Sequence, residues 1–349
     1  MPSASPTRRF KGRPDWASRT DDELLDMRFC DLKLDLRDSA VAPRVSRLYA
    51  ELEHQGIRFR PHCWLAEEWF SPDGVPGIAI PFYLAHPRLA KLEQQMMHDV
   101  EGGDERGCMR LLRHEAGHAI DTAYRLHRRK AWRETFGDPR KPYPSHYTPK
   151  PQSKHYVLHL DWWYAQSHPA EDFAETFAIW LRPGNGWRKK YAGWPARKKI
   201  ERLDEMIASI RGRTPLNATR RQVEPLRGNR NTLRQHYESK RVHYGINVPQ
   251  VYDSELQRLF TTDPKASGTR RTAAALLRRY AAELCRSCAK GTGEHPYVIA
   301  QIIQDMIVRC RELKLYTSAA DETVKTEIAV FITVHTLNYL HKVKHRVPL

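Results

Sequence analysis

Two histidines and a glutamate in the stretch LLRHEAGHAIDT, residues 111–122, have the types and spacing of a metal site. His114 and His118 are four positions apart, which places their side chains about 40° apart around an α-helix and lets both imidazoles bind one metal ion. Glu115 follows the first histidine, and a carboxylate there can take a proton from zinc-bound water. The stretch therefore predicts two zinc ligands and a general base on one helix, with a third ligand still to be found.

The surroundings of this HExxH pattern decide how much weight it has. The pattern is typical of metallopeptidases, but it fixes only three residue types and also occurs by chance in surface helices. One side of the predicted helix is apolar, which argues against a surface helix: Met109, Leu112, Ala116, Ala119, Ile120 and Ala123. Gly117 is a poor helix former, and we expect it to mark the close approach of another chain segment.

A second helix, within YAQSHPAEDFAETFAIW at residues 164–180, supplies two carboxylates. Ser167 is its expected N-cap, and Glu171 and Glu175 are four positions apart and share a face. We expect Glu171 to be the third zinc ligand and Glu175 to accept a hydrogen bond from the free ring nitrogen of a ligating histidine, His114. The alternative is an ordinary amphipathic helix whose acidic first turn is favoured by the helix dipole.

Together, HEAGHAID and HPAEDFAETFA resemble a family of bacterial zinc-binding metallopeptidases, which are similar in their site to the catalytic domain of anthrax lethal factor, a gluzincin. The resemblance extends over about residues 20–211. It implies that His114, His118 and Glu171 bind Zn²⁺. The lethal-factor domain also has an active-site tyrosine seven residues before its glutamate ligand. Tyr164 stands at that offset, and its phenol would stabilise the oxyanion.

The expected reaction is hydrolysis of a peptide bond in a peptide or protein substrate, by attack of zinc-activated water with Glu115 as the general base. Metzincins are excluded, because Asp121 and Tyr124 stand where that class has a glycine and a histidine. Two alternatives stay open. One is a zinc-containing binding or scaffold protein whose basic helical C-terminal domain recruits an acidic partner or nucleic acid. The other is a zinc amidase that acts on a non-peptide amide.

Periodicity predicts the elements that position the site. A short helix with an acidic first turn begins near Thr20, the alternation from Met27 predicts a strand, and residues 45–56 predict a helix. The segments IRFRPHCWLAEEWF and IAIPFYLAHP predict two strands joined by a turn. Pro81 places the second strand at a sheet edge or bulge, where a peptide could add as a further strand. The metal-site helix is expected to run to about Trp132.

Four segments follow from these patterns. Residues 1–19 are rich in Pro, Ser and Arg and predict a flexible N-terminal segment. Residues 20–211 are expected to form an α+β, zincin-like metallopeptidase domain with a small mixed sheet and an active-site helix. Residues 212–250 predict a linker or extended arm. Residues 251–349 contain three helical patterns and predict a basic α-helical domain, whose charge favours an acidic partner or polyanion.

The composition indicates a globular protein with excess positive charge. The chain has 349 residues, 40% of them hydrophobic, and a formal net charge of +17. No apolar stretch follows Met1, so we expect neither a secretory signal nor a membrane span, and a cytoplasmic location. The six cysteines, including the Cys285 and Cys288 pair, are expected to be reduced and mostly buried.

Overall fold

The computed structural model describes residues 14–144, 146–244, 253–264, 271–317, 320–343 and 347–348. These residues divide into two compact units. The first contains the described residues of Met1–Glu93, Val100–Gln235 and Arg346–Leu349, and the second those of Gln94–Asp99 and His236–His345. The described chain is mostly helical with little sheet, which is consistent with the predicted α+β class.

The elements follow one another in this order. The α-helices up to residue 244 are α1 (Asp21–Leu25), α2 (Ala42–His54), α3 (Pro87–Met97), α4 (Glu105–Tyr124), α5 (Lys130–Phe136), α6 (Pro169–Leu181), α7 (Trp187–Lys190), α8 (Pro195–Ala208) and α9 (Leu233–Tyr244). The later helices are α10 (Asp253–Leu259), α11 (Ala273–Thr292), α12 (Pro296–Glu312) and α13 (Asp321–Val343). The strands are β1 (His62–Ala66), β2 (Gly77–Pro81), β3 (His146–Tyr147) and β4 (Val347–Pro348).

The sheet in the first unit differs from the predicted one. β1 and β2 pair in parallel, from His62 opposite Gly77 to Ala66 opposite Pro81, and β3 and β4 form a separate antiparallel pair. Within the described residues there is thus no mixed sheet. The structure does not favour strand addition at β2, which the sequence left open beside a simple proline-capped edge. Every residue of β2 is buried, and its outer edge is occupied because the Ala79 amide donates to the carbonyl of Phe70.

The site-bearing helix α4 is shorter than predicted. It begins after Asp104, whose side chain accepts a hydrogen bond from the Gly107 amide, as expected for an N-cap. It ends at Arg125, which has a left-handed backbone conformation with φ of 50°. This conformation breaks the helical hydrogen-bond pattern, so Trp132 belongs to the separate helix α5 and not to α4.

Close packing of α4 against α6 confirms the expectation for Gly117. A Cβ atom at this glycine would lie only 2.8 Å from Cα of Ala174 and 3.2 Å from Cβ of Phe177. The start of α6 was predicted one residue too early. His168, not Ser167, is the N-cap, and its Nδ1 accepts a hydrogen bond from the Ala170 amide.

Helix α4 is also fixed to α2, by a buried ion pair. Nε and Nη2 of Arg113 each donate to a carboxylate oxygen of Glu51 at 2.7 Å. Both side chains are less than a tenth exposed, and Arg47 donates a further hydrogen bond to Glu51. A paired charge of this kind holds α4 in one rotational setting, because breaking it would leave a buried charge without a partner.

Two N-terminal predictions need correction. Residues 1–13 lie outside the described residues, but residues 14–19 pack against the fold: Trp16 is 5% exposed and its indole donates to the carbonyl of Leu32. The strand predicted from Met27 is instead a 3₁₀ turn at Phe29–Leu32. It ends at Lys33 in a left-handed conformation, which interrupts an extended strand.

The segment after α8, predicted as a linker or arm, lies against the first unit as far as α9. The amide of Leu216 donates to the carbonyl of Ala123, and the indole of Trp64 donates to the carbonyl of Val223. Residues 245–250 of the predicted segment lie outside the described residues.

In the second unit, helices α10 to α13 bury one apolar core. Cys285 and Cys288 are buried in this core, and all six cysteines are free in the structure. Arg271 on the predicted basic surface pairs with Asp321, so part of its positive charge is neutralised within the unit. No helix among the described residues is long and apolar enough to cross a membrane.

Candidate metal centre

The structure brings His114, His118 and Glu171 together. Nε2 of His114 lies 3.0 Å from Oε2 of Glu171, Nε2 of His118 lies 3.2 Å from the same oxygen, and the two Nε2 atoms are 3.2 Å apart. His114 and Glu171 are buried, whereas the His118 side chain is 20% exposed. One possible metal-ligand atom from each residue therefore lies near a common position.

These separations can be tested against the geometry of zinc. Zn²⁺ prefers tetrahedral coordination by histidine nitrogens and carboxylate oxygens at about 2.0–2.2 Å, so neighbouring ligand atoms should be about 3.3 Å apart. The three observed separations, 3.0, 3.2 and 3.2 Å, are close to that value. The donor set and its spacing therefore fit zinc.

Glu175 orients one of the two histidines. Nδ1 of His114 donates to Oε1 of Glu175 at 2.9 Å, which leaves the lone pair of Nε2 directed at the shared position. Oε2 of Glu175 accepts a hydrogen bond from the Leu160 amide at 2.8 Å. Glu175 is completely buried, so these two donors are what hold its carboxylate. Such outer partners fix the tautomer of a ligating histidine.

The electrostatics of the cluster favour a bound cation. Burial alone would lower the pKa of His114, but hydrogen bonds and charges of Glu171 and Glu175 outweigh it and raise the pKa well above its usual value. Burial would raise the pKa of Glu171, but His118 and His114 instead hold it well below its usual range. The carboxylates therefore favour positive charge at this position, which a metal ion would supply without protonating the imidazoles.

Residues 91–186 match the family model described as "Putative zinc-binding metallo-peptidase". This stretch of the chain is similar to a zinc-metallopeptidase family. The matched residues include α4, α6 and the loop between them, hence all three candidate ligands. No curated protein and no solved structure matches the chain. The likeness to the lethal-factor catalytic domain thus rests on the motif residues alone.

Glu115 and Tyr164 lie beside the cluster in this metallopeptidase-like segment. The Glu115 carboxylate is near enough to raise the pKa values of both His118 and Tyr164 by its charge. The rings of Tyr164 and His114 have centroids 5.7 Å apart. Burial, followed by the charge of Glu171, raises the pKa of Tyr164, so its phenol stays protonated and able to donate a hydrogen bond.

The structure adds Tyr143, which the sequence analysis did not single out. Its hydroxyl donates to Oε1 of Glu171 at 2.7 Å, on the carboxylate oxygen that does not face the histidines. Its ring stacks on His168 at 3.9 Å, and His168 in turn is the N-cap of α6. Tyr143 lies in the proline-rich loop after α5. This loop has no periodic pattern from which its contact with a carboxylate on α6 could be predicted. Only the length of that loop beside the site indicated a functional role.

Proposed function

We propose that the chain is a zinc-dependent metallopeptidase of the gluzincin type, which hydrolyses a peptide bond in a peptide or protein substrate. The observation that supports this best is the convergence of His114, His118 and Glu171 at zinc-ligand spacing, with Glu175 behind His114. The family match supports a metallopeptidase at a coarse level.

The number of ligands favours an enzyme over a scaffold. Structural zinc sites are closed by four protein ligands, whereas catalytic sites have three and keep one position open. Among the described residues, the cluster consists of His114, His118 and Glu171. The His118 side chain is 20% exposed, so the cluster lies near the protein surface, as a substrate would require.

Each residue then has one task. Zinc held here would supply Lewis acidity and lower the pKa of water. Glu115 accepts the proton of the attacking water and passes it to the leaving amine. Within the described part of the chain its carboxylate accepts no hydrogen bond and forms no ion pair, so it is available as a base. Tyr164, as a protonated phenol, donates a hydrogen bond to the oxyanion.

A Glu115→Gln variant tests these roles. We expect it to bind zinc like the wild type and to lose hydrolysis of a peptide library, because the amide cannot take the proton. Zinc content is measured by mass spectrometry of the purified protein. Glu105→Gln, at an exposed position of the same helix, is the matched control and should retain activity.

Three results would contradict the proposal. A Glu115→Gln variant with full hydrolysis would remove the assigned base. Zinc binding without hydrolysis of any amide by the wild type would favour the scaffold alternative. Cleavage of non-peptide amides with no cleavage of peptides would favour the amidase alternative.

A further inference from the structure

A cleft in the first unit, separate from the metal ligands, is lined by arginines. It has a volume of about 450 Å³, and its walls carry Arg58, Arg60, Arg213 and Arg220. None of its lining residues is an aspartate or a glutamate. The volume lies within the usual range of ligand pockets, so the chemistry of the cleft suits an anion.

The positive charge of the cleft is poorly neutralised by the protein. Arg60 pairs with Glu53 at 3.0 Å, but Arg58, Arg213 and Arg220 form no ion pair with any residue that the structure describes. The positive charge also affects a neighbouring residue. Burial lowers the pKa of Arg129, and the charge of Arg213 lowers it further. Like charges held together without a counter-ion make a site that binds anions.

The backbone beneath these arginines is held in place. The hydroxyl of Tyr124 donates to the carbonyl of Arg213 at 3.1 Å. Nε2 of His62 lies 2.7 Å from the carbonyl oxygen of Arg221. The Leu216 amide donates to the last turn of α4 at Ala123. Fixed backbone positions reduce the entropy lost when a ligand binds.

The same contacts connect the cleft to the candidate reaction centre. Tyr124, which anchors Arg213, lies on α4 six residues beyond His118, about 9 Å along the helix axis and about 120° around it. The loop before β2 makes a second link, because Nδ2 of Asn217 donates to the carbonyl of Gly74 and Oγ of Ser71 donates to the carbonyl of Glu115.

The aromatic residues of the cleft favour a peptide over a nucleic acid. Phe59 packs edge-on against Tyr124, with ring centroids 6.4 Å apart, and His62 stacks on Trp64 at 5.0 Å. These rings are engaged by the protein, whereas proteins that bind single strands offer aromatic faces to the bases. Guanidinium groups, in contrast, match carboxylates with two parallel hydrogen bonds.

We propose that this arginine cleft binds an acidic segment of the peptide substrate, away from the scissile bond. The choice of a peptide rests on the proposed function. The positive cleft and its connection to α4 do not depend on it.

Binding without turnover tests the proposal. The full-length Glu115→Gln protein is titrated into a fluorescein-labelled hexaglutamate peptide and, separately, a serine–glycine peptide of equal length. Arg213→Ala/Arg220→Ala is the cleft variant, and Arg202→Ala/Arg227→Ala, at exposed positions outside the cleft, is the control of equal charge. Thermal unfolding checks that both variants fold.

We expect the cleft variant to bind hexaglutamate about ten-fold more weakly, because it loses two exposed charge pairs with the peptide. The affinity of the control variant should change less than two-fold. Wild-type binding should weaken in 0.5 M NaCl. Equal loss in both variants would overturn the proposal. So would a labelled oligothymidylate that binds more tightly than hexaglutamate with the same dependence on Arg213 and Arg220, since this would assign the cleft to nucleic acid.

Cleavage assays separate this proposal from the proposed function. If the wild type cleaves peptides without preferring acidic flanks, and the cleft variant equals the control, the cleft proposal fails and the metallopeptidase stands. If no peptide is cleaved but hexaglutamate binding still requires Arg213 and Arg220, the metallopeptidase proposal fails and acidic-peptide binding by the cleft is supported.

Discussion

Replacing Gly117 with alanine tests how closely α4 must approach α6 for the metal centre to form. The added Cβ atom would lie 2.8 Å from Cα of Ala174 and 3.2 Å from Cβ of Phe177. Favourable carbon–carbon contact begins at about 3.5 Å. Because the nearest atom belongs to the backbone, α6 must move away from α4 by roughly 0.7 Å.

This movement affects metal binding more than stability. Overpacking lowers the free energy of unfolding by about 1–3 kcal/mol, but alanine stabilises a helix by about 1 kcal/mol relative to glycine. The net loss of stability is therefore about 0–2 kcal/mol. Glu171 moves with α6, whereas both histidines stay on α4. The distances of 3.0 and 3.2 Å from its carboxylate to the histidines would widen towards about 4 Å. Sites tolerate displacements of only about 0.5 Å, so we expect zinc affinity to fall at least ten-fold.

Zinc affinity is measured by competition with a chromophoric chelator, and stability by chemical denaturation. Gly107→Ala is the matched control, because it lies on the same helix and its new Cβ atom would meet nothing nearer than Oδ1 of Asp104 at 3.5 Å. A Gly117→Ala protein that binds zinc as tightly as the wild type would refute the reasoning, since α6 would then have no need to stay so close.

Three further substitutions address the groups around the ligands. Glu51→Gln removes the charge that pairs with buried Arg113, and we expect it to lower the free energy of unfolding by roughly 3 kcal/mol in denaturant titrations. Tyr143→Phe removes the hydrogen bond to Glu171, and we expect zinc affinity to fall about ten-fold in chelator competition. His159→Gln tests pH dependence: burial lowers the pKa of this histidine from 6.5 to about 4. The unfolded chain therefore takes up the proton first. The free energy of unfolding of the wild type should fall by up to about 3 kcal/mol between pH 6.5 and pH 4, and that of the variant should fall less.

Each of these outcomes has a specific control. Glu53→Gln removes an exposed partner of Arg60 and should lower the free energy of unfolding by less than 1 kcal/mol. If Glu51→Gln lowered it no more than this, the buried Glu51–Arg113 pair would not have the stabilising role assigned to it. Tyr164→Phe should slow turnover without changing zinc affinity, so the reverse pattern would exchange the roles of the two tyrosines. Parallel pH profiles for the wild type and His159→Gln would show that the half-buried His159 imidazole does not cause the loss of stability.

Local patterns in the sequence were enough to predict the helices that carry the candidate ligands. The four-residue spacings within α4 and within α6 are properties of the helix itself, and Gly117 indicated that another segment approaches there. The contact from Tyr143 to Glu171 joins a loop to a helix, and nothing local encodes it. The parallel pairing of β1 and β2 was missed for the same reason. The strand pattern does not indicate the path of the ten connecting residues from Glu67 to Pro76, and that path determines the relative direction of the two strands.

Two neighbouring residues of α4 fix the orientation of the site. Arg113 pairs with Glu51 on α2, and His114 donates to Glu175 on α6. Consecutive helical residues point about 100° apart, so these two buried contacts hold the helix from different sides. Rotation of α4 towards either partner would break the other contact and leave a polar group buried without a partner. The rotational setting that directs His114 and His118 at Glu171 is therefore fixed by the fold before any metal binds.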